Sequence, residues 1–85
     1  MILEFHNSFE KDYQKLGKKL QRQVQERLKL FLKNINDSQL HNHPLKGKYL
    51  DYRSINISGD YRAIFKMLEE RCIFVRVDTH SSLYS

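Results

Sequence analysis

The 85-residue sequence has one cysteine, one proline, three glycines and no long apolar run. A single thiol, Cys72, supports neither an intrachain disulfide framework nor a cysteine-built zinc site. So few glycines and prolines, beside 40% hydrophobic and 29% charged residues, exclude collagen-like repeats, low-complexity linkers and disorder. The apolar runs are short, as at Ile73-Phe74-Val75, so no membrane span and no h-region of a signal peptide is expected. A chain of this length buries only about 60 to 65% of its unfolded surface, enough for one core and too little for two. One domain over residues 1–85, soluble and cytoplasmic, is the expectation.

What is present in excess is positive charge. Fifteen Lys and Arg against ten Asp and Glu give +5, which suits a nucleic acid or an acidic protein. Many small domains carry such a charge only to stay dispersed, so basicity does not choose the partner.

Met1 to His6 reads as a short strand. Asn7 followed by Glu10 has the spacing of a helix cap, and Phe9, Tyr13 and Leu16 form one helical stripe that Gly17 ends by taking a positive φ. Leu20, Val24, Leu28, Phe31 and Ile35 mark a second amphipathic helix, stopped by Asn34 to Asp37. After Pro44 the period changes to two, and Leu50–Ile57, Tyr61–Met67 and Arg71–Val77 read as strands. Ser58-Gly59 and Leu68–Glu70 are the expected turns. The order β-α-α-β-β-β predicts an α+β fold, two N-terminal helices covering an antiparallel meander.

Polar residues left over from this core gather late in the chain. His41, His43 and His80 fall in loops or at a strand end, with Asp60, Arg53, Arg62, Tyr61 and Tyr84 in the same sheet region. Cleavage of RNA by its own 2′-hydroxyl needs a base, an acid and cations around the phosphate. Histidine can fill either proton role, arginine offers a fork of donors to phosphate, and tyrosine can stack on a base or donate a proton. Each residue also has a plainer reading as a loop histidine, a solvated charge or part of a core stripe. The His41-x-His43 pair has no neighbours to complete a ligand set, so neither a metal nor another cofactor is expected. Cys72 reads as a small buried strand residue.

Four segments then carry a resemblance: His43-Pro44-Leu45-Lys46-Gly47-Lys48-Tyr49, Tyr52-Arg53-Ser54-Ile55, Gly59-Asp60-Tyr61-Arg62-Ala63-Ile64-Phe65-Lys66 and Thr79-His80-Ser81-Ser82-Leu83-Tyr84. In this order they resemble the RelE/ParE toxin superfamily, nearest its YafQ-type mRNA interferases. The strand and two helices of the N-terminal half follow the same family order. The resemblance implies a toxin of a type II toxin–antitoxin pair that cuts mRNA on the ribosome without a metal. It also implies a cognate acidic antitoxin and contact with operator DNA only through that antitoxin. His43, Asp60, His80 and Tyr84 match the family's catalytic positions; Arg53, Asn56, Tyr61 and Arg62 are the candidate RNA and phosphate contacts.

Asn56 departs from the pattern, standing where YafQ-type members carry a histidine, and an amide cannot pass a proton at neutral pH. Asp51 and Asp78 stand where glycine is common. Tyr61 and Arg62, adjacent on a strand, should face opposite ways, with Arg62 and Lys66 toward RNA and Ala63, Phe65 and Met67 under the helices. His43 and His80 form an acid–base pair of undetermined order, and Asp60 would orient or tune one of them. A ParE-like gyrase inhibitor and a weakened member that mainly binds its antitoxin are the rival readings.

Overall fold

The structure, a computed structural model, describes residues 1–85. Strand β1 (Ile2–Phe5) leads into helices α1 (Asn7–Lys15) and α2 (Lys18–Lys33). A 3-10 turn (Ser38–Leu40), strand β2 (His43–Pro44) and a second 3-10 turn (Gly47–Tyr49) follow. The chain ends in β3 (Arg53–Ser58), β4 (Tyr61–Leu68), β5 (Arg71–Thr79) and the single-turn helix α3 (His80–Leu83). The β-α-α-β-β-β order holds, extended by the two-residue β2 and by α3. The strands form one sheet in the order β1-β5-β4-β3-β2, with β1 parallel to β5 and the other neighbours antiparallel. No helix is long and apolar enough to cross a membrane.

The helices cover one face of the sheet. Phe9, Val24 and Phe31 meet Ile55, Ile57, Ala63, Phe65, Phe74 and Val77 in the main core. Phe31 sits at its centre, 5.0 Å from the Phe65 ring and 5.5 Å from Phe74, in edge-to-face contacts that suit aromatic quadrupoles. Cys72 is fully buried in the same cluster, and burial pushes its thiol pKa up to about 12. Asp12 ties α1 to the sheet. Its carboxylate accepts from Arg76 Nε at 2.6 Å and from the Val77 amide at 3.0 Å, on the stretch of β5 beyond its pairing with β1.

Several local expectations are corrected. His6, not Asn7, caps α1: its imidazole Nδ1 accepts the Ser8 amide at 3.2 Å, and Asn7 is already helical. Gly17 keeps φ at −67° and serves as the N-cap of α2, because α1 has already stopped at Lys15 and Leu16 turns extended. The first hairpin turns at Gly59-Asp60 instead of Ser58-Gly59; a register shift between Asn56 and Ser58 brings Ser58 into pairing with Tyr61, and Gly59 takes φ +53°. The second turn lacks glycine, and Glu69 adopts φ +56°. Leu50 lies outside β3, since the chain from Gly47 to Tyr49 coils. Met67 is 37% exposed at the far end of the hairpin, beyond the cover of the helices.

The opposite face of the sheet is only partly covered. Leu45, Ile64 and Leu83 make a second, three-residue cluster there, joined by Tyr49, Tyr52 and Val75. Strand alternation sends Ile64 to this face, between Ala63 and Phe65 of the main core, and Leu45 and Leu83 bury it, so this small cluster clamps the chain after β2 and helix α3 onto β4.

Candidate functional site

Strand alternation sorts the candidate residues by face. Asn56 pairs with Arg62, and Arg62 with Asp78, in one row on the open face. His43 pairs with Ser54, and Ser54 with Ile64, in a second row on that face. Two candidates fall on the other side. Tyr61 is already strand, and its ring packs against the helix-side core, so it does not join Arg62. Arg53 shares the face of Ile55 and Ile57, and its Nε donates to Asn42 Oδ1 at 2.8 Å. The alternation that aims Asn56 outward turns both of them to the helix side, so Arg53 and Tyr61 are not brought together with Arg62 on the open face.

His43 is held in one tautomer. Its Nδ1 lies 2.8 Å from the His41 carbonyl oxygen, which can only accept, so Nδ1 carries hydrogen and Nε2 keeps the lone pair of the neutral ring. His41 turns its carbonyl to this position with φ +46°. The chain then runs through Pro44 to Leu45, which packs with Leu83, three residues past His80. A single apolar cluster thus positions both histidine segments.

Thr79 caps the last helical turn, its Oγ1 accepting the Ser82 amide at 3.3 Å. That turn puts i and i+4 on one side, and the His80 and Tyr84 rings stand 4.9 Å apart. His80 therefore begins a helix instead of lying in a loop. Its amide donates to the Asp60 carbonyl oxygen at 2.9 Å, so the main chain of Asp60 docks α3 while the Asp60 side chain stays exposed at the turn. Burial, and next the nearby Tyr49, raise the pKa of the Tyr84 phenol, which keeps its proton at neutral pH.

Arg62 is folded back onto the β3–β4 turn. Its Nη1 donates to the carbonyl oxygens of Gly59 at 2.9 Å and Tyr61 at 3.1 Å, leaving its other N–H groups for an anion. Beside it, Asn56 Oδ1 is buried and accepts no hydrogen bond, an acceptor aimed into the same row. The two aspartates at glycine-like positions also find reasons. Asp51 adopts φ +73°, a conformation that glycine enters freely. Asp78 is engaged by the Thr79 amide at 2.7 Å and by Arg76 at 3.7 Å.

Residues outside the sequence-derived set also line this face. Tyr49 stands edge-on to both Tyr52 and Tyr84, with ring centroids at 6.1 and 5.6 Å. Lys66 Nζ sits 5.4 Å above the Tyr52 ring, and Lys48 Nζ 5.3 Å from that of Tyr49. Tyr49 ends the first of the motif segments and Tyr52 opens the second, which was the signal the sequence offered for both. Two imidazoles, a guanidinium, a protonated phenol and a buried amide share one open sheet face, a set able to move protons around a held phosphate.

The family model of YafQ, a bacterial toxin of type II toxin–antitoxin systems, matches residues 1–85. Among solved structures, Escherichia coli YafQ from strain BL21(DE3) is similar at 22% identity, covering 98% of this chain and 97% of its own, with a TM-score of 0.82. YafQ in the E. coli DinJ–YafQ toxin–antitoxin complex gives 23% identity, coverage of 98% and 96%, and a TM-score of 0.80. A chain of the RelB–RelE antitoxin–toxin complex from Methanococcus jannaschii gives 22%, 95% and 94%, and 0.75. At these identities the solved structures establish the shared fold. No curated protein matches the sequence.

Proposed function

Because the chain belongs to the YafQ family of bacterial type II toxin–antitoxin toxins, we propose that it is a ribosome-dependent mRNA endoribonuclease neutralised by an acidic antitoxin. The observation that carries this reading is the clamp of Leu45, Ile64 and Leu83, which gathers the His43 and His80–Tyr84 segments on the face that bears Arg62 and Asn56.

In this mechanism His43 Nε2 takes the proton of the ribose 2′-hydroxyl, and the freed oxygen attacks the adjacent phosphorus. The bond from phosphorus to the 5′-oxygen breaks as the His80 imidazolium delivers its proton to that oxygen. Arg62 swings from the Gly59 and Tyr61 carbonyls to the phosphate as charge builds on it, and the Tyr84 hydroxyl, protonated at neutral pH, donates to the same group or positions the base. Asn56 accepts an N–H from the base or from Arg62. Asp60 stands at the hairpin tip, its carboxylate exposed beside the docked start of α3, where it orients the histidine. The products are a 5′-hydroxyl end and a 2′,3′-cyclic phosphate or 3′-phosphate end.

The +5 charge supports an acidic antitoxin as the neutralising partner and the ribosome and its message as the target, with operator DNA reached only through the antitoxin. In vitro translation of a defined message tests the activity. Ribosome-dependent cuts with 5′-hydroxyl ends are expected, with naked RNA cut poorly. Intact message with blocked gyrase supercoiling would identify a gyrase inhibitor instead, and intact message with active gyrase would leave only an antitoxin-binding chain.

A further inference from the structure

Beside the proton-transfer residues, the open face carries a groove of about 320 Å³ between the Gly47–Tyr52 segment and β5, lined by Tyr49, Tyr52, Lys48, Val75, Arg76 and His6. Its walls are two half-buried tyrosine rings, and the perpendicular contact of Tyr49 with Tyr84 joins it to the His80 side of the face. Arg76 is engaged by Asp12 and Asp78, so the guanidinium in this floor is already paired and the free cations beside the groove are the two lysines. Lys48 and Lys66 form no ion pair. Each lays a flexible ammonium near a tyrosine ring, where a flat, uncharged ring can displace it while the ammonium moves to a neighbouring anion.

Planar rings joined by anions describe single-stranded RNA. We infer that the Tyr49–Tyr52 groove is a second nucleotide subsite, taking the base that adjoins the nucleotide held at His80 and Tyr84, with Lys48 and Lys66 on the flanking phosphates. The identity of the polymer rests on the cleavage reading above. An acidic peptide would engage the two ammonium groups and leave the tyrosine rings without a flat partner.

The test is titration of the whole chain with a short oligouridylate carrying 2′-O-methyl riboses, which cannot be cut, followed by the NMR ring signals of each tyrosine. Signals of Tyr49 and Tyr52 should move together with those of Tyr84. Tyr49→Ala should weaken binding by about 5- to 150-fold, the range for loss of one stacked base, while Tyr49→Phe should bind as the parent does. Lys48→Ala combined with Lys66→Ala, both solvent-reaching, should flatten the salt dependence, and this decides the matter even if Tyr49→Ala fails to fold. Shifts confined to Tyr84, or no binding by the parent chain, would overturn the subsite. So would shifts of Tyr49 and Tyr52 that appear only when an acidic partner protein is added. Cleaved message with unmoved Tyr49 and Tyr52 signals removes the subsite and keeps the nuclease; moved signals with intact message do the reverse.

Discussion

The main-chain carbonyl of Asp60 accepts the main-chain amide of His80 at 2.9 Å, so the β3–β4 turn holds α3 without using either side chain. Substitution at Asp60 therefore tests its carboxylate alone. Asp60→Asn should leave the thermal midpoint unchanged and lower cleavage of ribosome-bound message by about tenfold or less, as expected for an exposed charge acting on a histidine through solvent. A loss as large as that of a histidine variant would place Asp60 in direct contact with the reacting atoms.

His80→Ala should lose about 10² to 10⁴-fold in cleavage, the usual contribution of a general acid, while folding and antitoxin binding persist because the ring is exposed. His80→Gln keeps a donor but cannot cycle a proton, so it should be nearly as impaired. Single-turnover cleavage of programmed ribosomes is the measurement. Parent-level cleavage in both variants would move the acid to another group.

Asn56 Oδ1 is a buried acceptor left empty, which makes the residue costly to the fold. Asn56→Ala should hold or raise the thermal midpoint while reducing cleavage. Calorimetry and the cleavage assay, run on the same protein, separate the two effects; a lowered midpoint with full activity would make Asn56 structural.

Cys72 sets a limit at alkaline pH. Below pH 9 its thiol is protonated in both folded and unfolded chains, so stability does not change on its account. Between 9 and about 12 the unfolded chain loses the proton first, and stability falls by up to about 1.4 kcal/mol per pH unit. Denaturant midpoints should drop more steeply over this window in the parent than in Cys72→Ala, and thiol reagents should label the native protein slowly at pH 8.

Phe31→Ala should cost about 3 to 5 kcal/mol, since the ring is fully buried against Phe65 and Phe74 with little room for the surroundings to close. Chemical denaturation of parent and variant measures it directly.

Period and residue type alone determined the helices, the three long strands, the burial of Phe9, Val24, Phe31 and Cys72, and the opposed directions of Tyr61 and Arg62. These follow from local geometry, in which side chains repeat every 3.6 residues on a helix and every two on a strand. The motif order from His43 to Tyr84 also made the family legible. Tertiary structure decided what depends on register and on contacts distant in sequence. The shift between Asn56 and Ser58 moved the turn to Gly59-Asp60, and the fold brought Asn42 within hydrogen-bond distance of Arg53. The Leu45–Ile64–Leu83 clamp joined segments almost forty residues apart and brought Tyr49 and Tyr52 onto the open face, because apolar side chains distant in sequence bury one another only once the sheet is assembled, and no local pattern records which will meet.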